Sequence, residues 1–128
     1  MNTLRVLCID DEPDICEVVA ISLGLDPEFE VRVCASGKDG LAAVAEIRPD
    51  LILLDVMMPN MDGPMTLGYL RENPQTGDIP VVFMTASVQR RELERFKSLG
   101  VVGVIAKPFD PIMLAALVRS HMQPALLG

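Results

Sequence analysis

Five residues of the 128-residue chain have types and spacings that could do chemistry together. They are the adjacent pair Asp10 and Asp11, then Asp55, Thr85 and Lys107, with steps of 45, 30 and 22 positions from Asp10 onward. Each stands at or just after the end of a short apolar run. Three carboxylates brought into one place raise one another's pKa and call for a cation. Mg²⁺ suits that need, because it takes hard oxygen ligands in octahedral geometry, keeps waters and accepts a phosphate oxygen as a further ligand. Three carboxylates, one Mg²⁺ and the Lys107 ammonium are neutral together, which leaves room for a dianionic phosphoryl group. Lys107 as a point charge and Thr85 as a hydroxyl donor would hold its oxygens. Asp55 is the natural nucleophile, since a carboxylate can form an aspartyl phosphate.

The elements that must position these groups are legible as alternating patterns. Leu4 to Ile9, Val31 to Cys34, Leu51 to Leu54, Val81 to Met84 and Val101 to Ala106 read as five strands. Between the first two, Ile15, Val18, Val19, Ser22 and Leu23 form the stripe of a one-faced helix, with Pro13 in its first turn and Asp11 or Glu12 as cap. Further helices are predicted over Gly37 to Arg48, over Gly63 to Glu72, around Leu93 and Phe96 up to Gly100, and from Asp110-Pro111 through Val118. Strands alternating with helices predict an α/β fold, a parallel sheet covered on both faces. Glu30 and Arg32 alternate with valines, as on an edge strand, whereas the first and third strands read as buried. The predicted architecture is a flavodoxin-like (βα)5 doubly wound sandwich with strand order 2-1-3-4-5. Ligands of such sheets bind beyond the carboxyl ends of the strands, which is where the five residues fall.

Composition narrows the function. The length suits a single domain. Half of the residues are apolar, enough for a real core, and the net charge of −7 is the wrong sign for a nucleic-acid or anionic-membrane partner. No apolar run approaches the length of a membrane span, and the N-terminus does not read as a signal peptide. Cys8, Cys16 and Cys34 form neither a disulfide framework nor a zinc pattern, and they read as small buried hydrophobes in a cytoplasmic protein. His121 is the only histidine, which excludes a multi-histidine metal centre. Ser36-Gly37-Lys38 lacks the spacing of a nucleotide-binding loop.

Asp10-Asp11, Asp55 with Met58-Pro59-x-Met61-Asp62-Gly63, Thr85-Ala86 and Lys107-Pro108-Phe109, in this order, resemble the receiver domains of two-component response regulators, the CheY-like superfamily. The resemblance covers essentially the whole chain, as a receiver domain over residues 1–123 with 124–128 as a tail. It implies that Asp55 accepts a phosphoryl group from a phosphohistidine of a sensor histidine kinase or histidine phosphotransfer protein. It also implies that Asp11, Asp55 and the backbone carbonyl of Met57 bind Mg²⁺ directly and Asp10 through water. Thr85 and Lys107 would contact the phosphoryl oxygens, and the Lys107-Pro108 bond would be cis. Output would run through an as yet unknown protein effector, as a single-domain regulator or a phosphorelay shuttle, with no chemistry beyond self-directed phosphotransfer and autodephosphorylation. One departure stands out: three residues before the lysine, where the family commonly has Tyr or Phe, this chain has Val104. The usual aromatic readout is therefore not expected.

Other readings fit less well. Phosphohydrolases of the haloacid-dehalogenase type use similar residues, but their nucleophile follows strand one and their acidic pair comes late. Asp10 and Asp11 could merely cap a helix. Met57, Met58, Met61 and Met65 read as loop and core filling rather than a partner patch. Arg90, Arg91, Arg95 and Lys97 interleave with Glu92 and Glu94 as a solvated helix face.

Overall fold

Five runs too short for a helix, the second alternating Glu30 and Arg32 with apolar residues, form the strands, and the 3.6-periodic segments between them form the helices. The order is β1 (Leu4–Ile9), α1 (Pro13–Gly24), β2 (Phe29–Cys34), α2 (Gly37–Ile47), β3 (Leu51–Asp55), α3 (Gly63–Glu72), β4 (Val81–Thr85), α4 (Arg90–Ser98), β5 (Gly103–Ala106) and α5 (Leu114–Ser120). The structure, a computed structural model of the chain, describes residues 3–122, so the expected tail at 124–128 lies outside the described residues. All strands are parallel, in the order β2-β1-β3-β4-β5, as the alternating pattern requires.

β1 and β3 are buried on both faces because helices cover both sides of the sheet. On one face Val19 and Leu23 of α1 and Leu114 and Val118 of α5 pack on Val6, Cys8, Leu53 and Met84. On the other, Ala43 and Val44 of α2, Leu67 and Leu70 of α3 and Phe96 of α4 pack on Leu7, Ile9, Leu54 and Phe83. Phe83 and Phe96 meet edge to face, with centroids 5.1 Å apart. Edge strand β2 carries its charges outward, Glu30 toward Arg5 and Arg32 toward Glu46. Arg119 ties α5 to the start of β2, bonding to Asp26 and Glu28 and lying 4.7 Å over the Phe29 ring.

The structure corrects several boundaries. β5 begins at Gly103, not Val101, because the chain turns at Gly100 with φ +88° and only Val102 N–H reaches Val81 O before the ladder starts. α5 begins at Leu114, since Asp110 accepts the N–H groups of Ile112 and Met113 in a turn that occupies the segment after Pro111. α2 stops at Ile47, with Arg48 in the left-handed region. Of the three cysteines only Cys8 is fully buried, and Cys16 and Cys34 are partly exposed. Met58 fills the core as expected, whereas Met57 and Met65 are exposed.

Close approach at the carboxyl end of β3 depends on Gly63. A Cβ there would stand 2.6 Å from the Asp55 carbonyl oxygen, and backbone cannot yield to it. Gly63→Ala is expected to lower stability by about 1–3 kcal/mol in urea unfolding. An unchanged midpoint would show that the start of α3 is free to move off β3.

Candidate functional site

The carboxyl ends of β1, β3, β4 and β5 bring the five residues to one end of the sheet. Asp10 immediately follows β1, Asp55 ends β3, Thr85 ends β4 and Lys107 follows β5. Parallel pairing sets their levels: Asp55 lies beside Met84, and Thr85 beside Ala106. The sequence reading placed Asp55 just past its strand; the strand includes it, since Val56 N–H still reaches Met84 O.

Lys107 Nζ lies 2.7 Å from Asp10 Oδ2 and 3.1 Å from Asp55 Oδ1, with the exposed Glu12 carboxylate at 3.4 Å. Its bond to Asp55 Oδ1 has hydrogen-bond geometry, while the contact with Asp10 Oδ2 is an ion pair that is off-angle for one. Asp10 Oδ1 accepts the Glu12 N–H at 2.9 Å. Glu12, one of the two caps expected for α1, stands at the cap position, but its side chain makes no cap hydrogen bond. Asp55 Oδ1 also receives the Met57 N–H at 3.4 Å, and Asp55 Oδ2, buried, has no partner at all. Thr85 is buried, but its hydroxyl accepts the Ser87 N–H at 3.1 Å and so braces the loop between β4 and α4. Met57 itself extends outward with its side chain exposed. The Lys107-Pro108 bond is cis, as the resemblance implied.

One carboxylate oxygen each of Asp10, Asp11 and Asp55 lie within 4.8 Å of one another. Hard oxygens so close, one of them buried without a donor, are a donor set that fits a small divalent cation. Electrostatics agrees. Burial, and then the charge of Asp10, push Asp55 from the usual carboxylate range to about 6, although Lys107 and the Met57 N–H work against them. Burial pulls Lys107 down, but Asp10 and Asp55 together outweigh it and hold its ammonium charged above the ordinary lysine range.

Beneath Asp10, Cys16 Sγ donates to the Asp10 carbonyl at 3.1 Å. Hydrogen bonding between the Cys8 and Cys16 thiols holds Cys8 above and Cys16 below the ordinary thiol value. Beside Val104, Leu93, Lys97, Val101, Val102 and Gly103 line a surface hollow of about 230 Å³. Arg90 pairs with Glu94 and Arg95 with Glu92 on the exposed face of α4, as the charge pattern predicted.

The chain is similar to known proteins. Residues 6–119 match the family of the response regulator receiver domain, and the chain belongs to that family. The chain is 36% identical over 93% of its length to the DNA-binding dual master transcriptional regulator RpaA of Synechocystis, covering 49% of that protein. It is 33% identical over 96% of its length to a probable cyclic di-GMP phosphodiesterase of Vibrio cholerae, covering 27% of it. The chain thus spans between about a quarter and a half of these curated relatives. The chemotaxis protein CheY4 of Vibrio cholerae superposes with a TM-score of 0.87 at 28% identity, over 94% of this chain and 99% of that one. The flavodoxin-like order is therefore the receiver fold. Because RpaA is named as DNA-binding, the acidic charge of this domain does not support excluding nucleic acid from a longer protein's partners.

A raised carboxylate destabilises the metal-free fold as pH rises. Between about pH 4 and 6 the unfolded chain releases the Asp55 proton before the folded chain does, so stability falls across that window and stays reduced above it. In chelator at pH 7, Asp55→Asn is expected to be more stable than the parent by about 1–3 kcal/mol. The gap closes toward pH 4, and Mg²⁺ narrows it at pH 7 by stabilising only the parent. Thermal unfolding at both pH values checks this, and a less stable variant at pH 7 would contradict it.

Proposed function

We propose that the domain accepts a phosphoryl group on Asp55 from a phosphohistidine of a sensor histidine kinase or histidine phosphotransfer protein, in a Mg²⁺-dependent reaction. The observation that carries this reading is the pairing of Lys107 with both Asp10 and Asp55 beside a buried Asp55 oxygen that has no partner. Asp10, Asp11, Asp55 and the Met57 backbone carbonyl would hold Mg²⁺, which when bound supplies positive charge against the phosphoryl oxygens. The Asp55 carboxylate attacks phosphorus, the P–N bond to the imidazole breaks, and that electron pair stays on the donor histidine. Lys107, already charged and placed, meets an incoming phosphoryl oxygen without waiting for a proton.

Thr85 accepts the Ser87 N–H and keeps its own O–H free to donate to a phosphoryl oxygen, so one hydroxyl joins the site to the loop before α4. Phosphorylation is therefore coupled directly to the loop before α4. The domain signals through phosphorylation-dependent protein contacts and turns over no external substrate. It passes its signal to a protein effector or hands the phosphoryl group on as a shuttle, and capture of a phosphotransfer domain rather than an effector would identify the shuttle.

Incubation with acetyl phosphate and Mg²⁺ is expected to add one phosphoryl group in intact-mass analysis. Asp55→Asn and chelator should each abolish the adduct, and Lys107→Ala should reduce it at least about tenfold. An adduct that survives Asp55→Asn would overturn the assignment. With a beryllofluoride mimic, backbone NMR shifts are expected to be large at Thr85 and Ser87 and small at Val104, which has no ring to turn. Large shifts centred on Val104 would restore a readout through β5.

A further inference from the structure

We infer that Glu12 is a displaceable third partner of Lys107, and that its charge sets how strongly the site discriminates against highly charged phosphoryl donors. Lys107 Nζ meets three carboxylates: Asp10 Oδ2 at 2.7 Å, Asp55 Oδ1 at 3.1 Å and Glu12 Oε1 at 3.4 Å. The first two are buried at the ends of central strands, whereas the Glu12 side chain is 61% exposed. The Glu12 backbone is pinned, since its N–H donates to Asp10 Oδ1 and its carbonyl accepts from Ile15 and Cys16 at the start of α1. Among the described residues its carboxylate bonds only to Lys107. Glu12 is thus anchored at the backbone and tethered at its tip by one contact, the longest of the three.

This inference rests on the reading of Asp55 as the phosphoacceptor. A phosphoryl group on Asp55 brings its oxygens to Lys107, and the ammonium must release a partner to meet them. Asp10 and Asp55 have no room to retreat, whereas Glu12 swings into water at little cost, because an exposed ion pair contributes little. The released carboxylate stays close. Glu12 Oε1 and Asp55 Oδ1 touch the same ammonium, so a donor that reaches Asp55 also reaches the neighbourhood of this negative charge. Repulsion at that range grows with the charge of the donor and is weakened by salt. With acetyl phosphate, an Asp55 oxygen forms the new bond to phosphorus as the P–O bond to acetate breaks, and that electron pair leaves with the acetate. No proton and no further reactant is needed. Glu12 takes no part in these bonds and acts through Lys107 and through its own charge.

The test compares the full chain with Glu12→Gln, Glu12→Asp and Glu72→Gln, the last of which removes one exposed charge at the far end of α3 from the site. Phosphorylation rates are followed by intact mass, at Mg²⁺ saturating for each variant, with acetyl phosphate, a dianion at pH 7, and with phosphoramidate, chiefly a monoanion. Glu12→Gln is expected to raise the acetyl phosphate rate at least about threefold and the phosphoramidate rate less. The gain should shrink in about 0.5 M salt. Glu12→Asp keeps the charge and should stay nearer the parent than Glu12→Gln does, and Glu72→Gln should match the parent. An unchanged or lowered rate in Glu12→Gln, an equal gain with both donors, or a gain indifferent to salt would overturn the inference. An equal gain in Glu72→Gln would overturn it as well, by showing an effect of net charge alone. If the parent takes a phosphoryl group from neither donor, the phosphoacceptor reading itself fails and the inference falls with it.

Discussion

Two buried carboxylates that cannot comfortably both be ionised, and one ammonium held between them, set the terms for the rest of this structure. Asp10 and Asp55 sit at the ends of adjacent central strands with almost no exposure, and Lys107 from the far side of the sheet closes on both. Removing charges from water costs several kcal/mol each unless partners compensate. Here the compensation is incomplete, since Asp55 is still displaced to about 6 and keeps an oxygen without a donor. The fold thus maintains a local electrostatic deficit. Strain of this kind persists only where surrounding packing over-determines the geometry, and β1 and β3 are buried on both faces for their whole paired length.

Everything near the deficit is arranged to keep it open. The Glu12 and Met57 N–H groups each take one oxygen of Asp10 and Asp55 respectively, which fixes the side chains without neutralising them. Asp62 accepts the Met65 N–H at the start of α3, and Asn60 adopts a left-handed conformation at φ 68°, so the loop after Asp55 folds back over Val56 instead of across the acidic groups. Thr85, at the end of β4, accepts from the next loop through its hydroxyl oxygen. The chemistry and the output therefore meet at one oxygen atom.

Much of this was readable from the residues. Strand runs such as Leu51 to Leu54 and helix punctuation at Pro13, Gly63 and Asn73-Pro74 specify the alternation, because buried parallel strands are continuously apolar and caps are local chemistry. The five polar residues at strand ends were legible for the same reason: each interrupts an apolar context where a charge has no structural use. What escaped was anything set by side-chain direction. That Asp10 takes the Glu12 N–H, that Thr85 accepts from Ser87, and that Cys16 donates to the Asp10 carbonyl depend on rotamers in three dimensions. Val104 was legible as a departure, but the hollow beside it and the Phe83-Phe96 contact nearby follow from packing across β4 and α4.

The contact made by Gly37 and Gly40 has a mechanical consequence. A Cβ on Gly40 would overlap Ile9, the residue before Asp10, and one on Gly37 would overlap Thr66 of α3 and Met61. With no side chain on either glycine, the backbone of α2 is seated directly on the side chains of Ile9, Thr66 and Met61. This flank behaves as an anvil. A displacement starting at Asp55 meets this close seat on the side of α2 and α3, so it is turned toward β4 and the loop before α4.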